Sequence, residues 1–202
     1  MVITVNGERK EFPSCFEELK AREYELLVPE WAKEKRDPFK EFCILSGFDS
    51  FVGSSENEVT IWNCVKWMYD PININTEVPR VLKVNERLLT IPKDVRKLSI
   101  GQNIHLKQVV SEATYLDQNI SIACAIYLQP LYDNAKFDYD RALELKKVIE
   151  EMPAYLIRPI GFFLLTHALP HGRRPTSNLK KMISSLSQRC VRMWQPSLRL
   201  QG

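Results

Sequence analysis

Hydrophobic and polar positions along the chain form two loosely alternating stretches, each followed by helical spacing, and the two sets begin 79 residues apart. From Val2 to Phe12 the pattern alternates and turns at Asn6-Gly7, the pair best suited to a two-residue type I′ hairpin. Pro13 stops that strand. Ser14 with Glu17 reads as a capping box, in which each side chain satisfies the other residue's backbone N–H. Phe16, Leu19 and Leu26-Leu27 then supply a helical face. Asp37-Pro38 is a second helix start, an N-cap followed by proline at the first helical position. Phe39, Phe42 and Leu45 are assigned to the buried side of this helix, and Gly47 to its end. Ser55 with Glu58 repeats the capping box, and Ile61, Trp62, Val65, Met68 and Tyr69 follow at helical spacing until Pro71. Ile72 to Val78 reads as extended.

The second set opens with strands at Val81–Val84 and Leu88–Ile91. Their turn, Asn85-Glu86, lacks the glycine of the first set and is therefore expected to be longer or looser. A gap-free overlay places Val5-Asn6-Gly7 on Val84-Asn85-Glu86 and Phe12-Pro13 on Ile91-Pro92. It continues with Phe16 on Val95, Leu19 on Leu98, Glu23 on Gln102 and Leu27 on Leu106. Ser99 and Gln102 form a further capping box, opening a helix through Ile100, Ile104 and Val109. Helices are then expected from Asn119 to Leu128, stopping near Pro130, and from Asp138 to Glu151 with Ala142, Leu145 and Ile149 inward. A last one spans Ala154 to Leu169, with a kink or late start at Pro159 and a stop at Pro170.

These elements predict an α+β, predominantly helical fold. It has two short β-hairpins, an internal repeat, each leading into helices, with a C-terminal helical bundle and a basic tail helix. The expected division is a β-grasp-like hairpin-plus-helices unit at 1–79, a hairpin and bundle at 80–170, and a tail at 171–202.

Composition changes this picture little, and charge changes it more. At 202 residues, 45% hydrophobic and 26% charged, the chain has an ordinary globular balance and enough length for a real core. The N-terminal Met1 to Asn6 enters a strand pattern without the basic start and apolar core of a signal peptide. The most apolar run, Ile160 to Leu169, is shorter than the roughly 20 residues a bilayer span needs, so no membrane partner is expected. The net charge of +3 is unevenly spread. Residues 171–202 hold Arg173, Arg174, Lys180, Lys181, Arg189, Arg192 and Arg199 and no acid, so the tail is +7 and the remainder −4. Within the tail, Leu179, Met182, Ile183, Leu186 and Cys190 make an amphipathic stripe flanked by Lys180, Lys181 and Arg189. That stripe could dock on a partner protein or a second copy, fold back on the acidic body, or grip nucleic acid with Trp194 nearby.

No enzyme signature accompanies these patterns. The five cysteines, Cys15, Cys43, Cys64, Cys124 and Cys190, are widely spaced and odd in number, which suggests neither disulfide framework nor zinc site. His105, His167 and His171 lack metal-ligand or His-carboxylate spacing, and Cys124 sits among core-like residues with no local base. Asp133, Asp138 and Asp140 cluster at a helix start, where capping explains them better than calcium, because no glycine-turned loop of alternating oxygens surrounds them. Glycines 47, 53 and 101 are isolated, so no phosphate cradle is formed. The sequence thus predicts no catalytic residue, cofactor or metal. An enzyme would need a site assembled from residues scattered along the chain.

Several segments together resemble a known family. Ile3-Thr4-Val5-Asn6-Gly7, Pro13-Ser14 and Glu17-Glu18-Leu19, then Leu98-Ser99-Ile100-Gly101-Gln102, Asp138-Tyr139-Asp140, Glu151-Met152-Pro153 and Pro159 to Leu164 occur in the same order. This order is similar to the baseplate hub assembly proteins of T-even-like tailed bacteriophages, over about residues 1–170. The chain departs from that pattern at Glu86 and at Lys20-Ala21-Arg22. The resemblance implies a non-enzymatic tail or baseplate assembly factor, or a minor virion protein. Its partners would be other phage tail proteins, and it would work in the host cytoplasm during assembly or stay in the virion.

Overall fold

The computed structural model describes residues 1–5, 8–47, 55–69, 77–91 and 94–169. Outside them lie the Asn6-Gly7 turn, Pro71, most of the stretch from Ile72, Pro170 and the whole tail, and the Ser55 side chain is likewise not described. Among the described residues the architecture is mostly helical α+β, with seven α-helices and two two-stranded antiparallel hairpins. The first hairpin is β1 (Val2–Val5) with β2 (Glu8–Glu11), followed by α1 (Ala21–Trp31), α2 (Pro38–Ser46) and α3 (Ser55–Val65). The second is β3 (Val81–Val84) with β4 (Arg87–Thr90), followed by α4 (Ile100–Glu112), α5 (Ile120–Asp133), α6 (Tyr139–Glu150) and α7 (Ala154–Ala168). Short 3-10 turns stand at Phe16–Glu18, Lys66–Tyr69, Val95–Lys97 and Leu116–Asn119. No described helix is long and apolar enough to cross a membrane.

Strands, the following 3-10 turn and the next helix start recur at the 79-residue offset. The physical reason shows best at the helix starts. Ser99 N–H donates to Gln102 Oε1 at 2.9 Å and Gln102 N–H to Ser99 Oγ at 3.2 Å, closing the expected box. In the first set Lys20 N–H donates to Glu23 Oε2 at 2.9 Å, so Glu23 and Gln102 do the same work despite their different charge. Both second helices end alike, on a left-handed residue: Gly47 (φ 69°) after α2 and Asn134 (φ 53°) after α5.

Five sequence expectations are corrected. The Asn85-Glu86 turn is not longer: Val84 pairs with Arg87, and Asn85 itself takes the positive φ of 52° that glycine would have supplied. Ser14 meets Glu18 rather than Glu17, through both its N–H and its hydroxyl, because a 3-10 turn intervenes before α1. Phe39 is exposed while Phe42 is fully buried and stacks on Phe12 at 5.3 Å. Finally, α5 does not stop at Pro130 but runs to Asp133. A proline there cannot donate to the Ile126 carbonyl, and the buried Gln102 amide donates to that oxygen at 2.9 Å instead. α7 starts at Ala154 and continues through Pro159, without a late start.

The two halves share one continuous core, from Ile3 and Phe12 through Leu27 and Leu82 to Ile126 and Leu165. Their joint is the entry to α7. Ala154 N–H donates to Leu19 O at 2.7 Å and Ala21 N–H to Met152 O at 2.8 Å, a β-bridge across Lys20 and Pro153. Glu151 adds ion pairs to Lys20 and Arg22.

Candidate functional site

The densest polar constellation is buried where the two halves meet. α1 carries Tyr24 inward, the 3-10 turn before α5 supplies Asp117, and Arg158 projects from the first turns of α7. Tyr24 Oη donates to Asp117 Oδ2 at 2.8 Å. Arg158 donates from Nε to Tyr24 Oη at 2.6 Å and from Nη2 to Asp117 Oδ2 at 3.2 Å. Burial, then the Asp117 charge, pushes the Tyr24 hydroxyl well above its ordinary range, so it remains a donor. All three side chains are almost fully sealed from solvent. The cluster can hold the halves in register, and no substrate can reach it.

Beside it, Glu25 Oε1 accepts the Ser121 N–H at 2.7 Å, so a carboxylate of the first half caps the start of α5 in the second. Burial raises the Glu25 carboxyl from its ordinary 4.5 to about 7, against the Ser121 N–H and Lys146, which pull it down, while Glu150 adds to the rise. An acid with a raised folded pKa binds more protons folded than unfolded, so stability falls as pH climbs between the two values. The chain should therefore lose stability from about pH 4.5 to about pH 7. Glu25→Gln should flatten that decline by about 2 kcal/mol, allowing for the solvent the group retains. Urea unfolding of both proteins at pH 5 and pH 8 reads the effect, and parallel pH dependences would refute it.

A second buried pair ties α2 to the turn after α3. Glu41 is fully buried and takes Arg36 in a fork at 2.6 and 2.9 Å. The Arg36 guanidinium also donates to Met68 O at 3.0 Å and lies 4.0 Å from the Tyr69 ring centroid. This too is structural cement.

Among the described residues an open cleft of about 460 Å³ lies at the α5–α6 turn, lined by Arg87, Gln129, Asp133, Ala135, Lys136, Asp138 and Arg141. Its groups are largely committed. Asp138 caps α6 through the Arg141 N–H, and Asp133 takes Gln129 at 3.0 Å and Arg141 at 3.5 Å. Arg87 lies over the Tyr132 ring and donates to its carbonyl. The cleft offers charge but no serine, threonine, cysteine or histidine to act as nucleophile or base. No group of three His, Cys, Asp or Glu residues that could hold a metal occurs among the described residues.

The single-residue candidates are equally plain. His105 stacks on Tyr139 at 3.9 Å, and His167 is exposed with Nδ1 2.9 Å from Phe163 O. Cys124 is fully buried, its thiol 3.5 Å from Ile157 O and pushed well up by burial. His171, Cys190 and the stripe residues Leu179, Lys180, Lys181, Met182, Ile183, Leu186 and Arg189 lie outside the described residues.

Sequence reasoning missed the outward apolar residues. Ile100 is 81% exposed, Leu88 72%, Val59 63% and Ile104 58%, whereas Gln102 on the same helix as the two isoleucines is buried. A signal was present: α4 carries apolar residues on all sides, more than one buried face can use. No family model, curated protein or solved structure matches the chain.

Proposed function

We propose that the protein is a non-enzymatic assembly factor or minor structural component of a bacteriophage tail or baseplate, acting through protein–protein contacts. The observation that carries the protein-contact reading is the set of large apolar side chains left outside the body, Leu88, Ile100, Ile104 and Val59, with the stripe in the tail. The restriction to phage tails comes from the family resemblance. Sealed polar clusters and a cleft whose carboxylates are tied up in capping and ion pairs support a scaffold more than a catalyst. The partners would be other tail or baseplate proteins, met in the host cytoplasm, with a second copy of the chain as a further partner.

A nonsense allele of this reading frame should give filled heads without complete tails, and the purified protein should restore infectious particles in extracts. Normal particle yield from the allele would end the proposal. The tail is tested separately. Leu186→Glu puts a charge in the middle of the stripe and should abolish association with the tail partner, read by co-sedimentation with purified baseplate intermediates. Neutralising Lys180 and Lys181 should mainly slow association.

The second reading, a nucleic-acid-binding accessory role, is favoured by one observation, the seven cations without an acid in residues 171–202. It predicts DNA binding that survives Leu186→Glu and weakens with salt at a log–log slope of about −6 if all seven engage phosphates.

A further inference from the structure

One surface frame occurs twice in the molecule, with its charge inverted. In the first half Phe12 N–H donates to Met1 O at 2.7 Å, Glu18 N–H to Cys15 O at 3.3 Å and Leu19 N–H to Phe16 O at 3.2 Å. At the 79-residue offset Ile91 N–H donates to Arg80 O at 2.9 Å, Lys97 N–H to Asp94 O at 3.3 Å and Leu98 N–H to Val95 O at 3.1 Å. The strand registers match too, Val2 with Glu11 and Val81 with Thr90. Hairpin and 3-10 turn thus make the same corner in both halves, with Val2 and Val81 each more than half exposed. The polar positions change sign. Glu17 and Glu18 stand where the second half has Arg96 and Lys97, and all four are exposed. Residues 1–18 hold four acids and two bases, and the N-terminal ammonium is spent on Phe12 O and Glu18. Residues 80–97 hold six bases, of which Lys93 lies outside the described residues, and two acids. Both of those acids are spent, Glu86 on Lys83 and Asp94 on Arg96. Neighbouring charges leave the contrast in place. Lys20 and Arg22, the next cations after the first corner, pair with Glu151. Beside the second, Asp133 pairs with Arg141, and Glu77 is itself engaged.

We propose that these two corners are the two sides of an interface between copies of this chain, Glu11 and Glu17 of one copy facing Arg80 and Lys97 of the next. A foreign partner of one sign would need only one corner. Opposite signs on a single frame complement each other, so every copy carries the match for both of its own corners. The buried positions of the frame, Phe12 and Phe16 in one half and Ile91 in the other, need neither sign. Within one molecule the hairpins form separate sheets, and the four facing side chains are exposed. Val2 and Val81 lie inside the ring of charges and supply apolar contact. Because the two surfaces differ, the contact is head-to-tail and adds further copies. Charges at an exposed rim orient and steer more than they hold, so the association is salt-sensitive. This inference does not depend on the phage reading.

Sedimentation velocity of the full chain over a concentration series tests it. The unaltered protein should form growing oligomers at about 0.01 M salt and lose them at about 1 M, as the screening length shrinks from about 30 to about 3 Å. One variant, Glu11→Lys with Glu17→Lys, makes both corners basic; the other, Arg80→Glu with Lys97→Glu, makes both acidic. Glu18 and Arg96 are left alone because they bond Ser14 and Asp94 within their own corners. Each variant alone should associate about a hundredfold more weakly, like charges now facing each other, with an unchanged circular dichroism spectrum. Mixed in equal amounts, the two should assemble again, because each basic corner then meets an acidic one. A parent that stays monomeric at low salt overturns the proposal. So does association that survives either variant, or a mixture that stays monomeric. Loss in the basic variant with retention in the acidic one would assign the acidic corner to the basic tail at residues 171–202 and equally overturn it.

Discussion

Gly161→Ala is expected to destabilise the protein by about 3 kcal/mol, because there is no room for the added methyl. α7 crosses the start of α5 so closely that a Cβ at Gly161 would lie 2.6 Å from Ile120 Cα and Cβ and 2.7 Å from its carbonyl oxygen. Two of those three atoms are backbone, so no rotamer change relieves the overlap. The start of α5 must move, and with it the Ser121 N–H that Glu25 caps. For a chain of this size the loss corresponds to a fall in Tm of about 10 °C, readable by calorimetry. Gly101→Ala is the matched control. Its Cβ would meet side-chain atoms alone, chiefly the edge of the Phe137 ring at 3.0 Å, and alanine is the better helix former. If the two variants melt together, the close crossing of α5 and α7 is not what the glycine serves.

Arg158→Met is expected to cost about 4 kcal/mol, because it strands the Asp117 carboxylate in the core with only Tyr24 for a partner. The loss comes from the uncompensated charge more than from the bond removed. Replacing the whole cluster, Tyr24→Phe with Asp117→Leu and Arg158→Met, should therefore recover most of that stability. Chemical denaturation of the single and triple variants decides between these accounts. A triple variant weaker than Arg158→Met alone would mean that the cluster contributes through its hydrogen bonds beyond satisfying its own charges.

Local chemistry was legible in the sequence wherever a few adjacent residues settle the outcome. Asp37 and Pro38 start α2, Gly47 ends it, and Ser99 with Gln102 starts α4, since each is a matter of one backbone N–H or one positive φ. Burial was not legible where the deciding partner is distant. Ile100 and Ile104 look like core and Gln102 like surface, yet Gln102 turns inward because Pro130 leaves the Ile126 carbonyl without its helical donor. The Tyr24 cluster draws on three elements from both halves, and no short window contains it. Its trace is Arg158, a lone charge within the otherwise apolar run of α7, which had to find a buried partner. The outward face of α4 left a similar trace, in apolar residues on more sides than one buried face can use.

The entry to α7 also sets a schedule for the nascent chain. Tyr24 and its partner Arg158 are 134 positions apart, and at about 5–20 residues per second the ribosome takes roughly 7 to 27 s to travel between them. Until that interval ends, Ala21, Tyr24 and Val28 lack the α7 entry that completes their cover, although Asp117 and Ser121 are made before it. The N-terminal hairpin and helices thus emerge with an adhesive side, and the last described helix to be synthesised is the one that closes it.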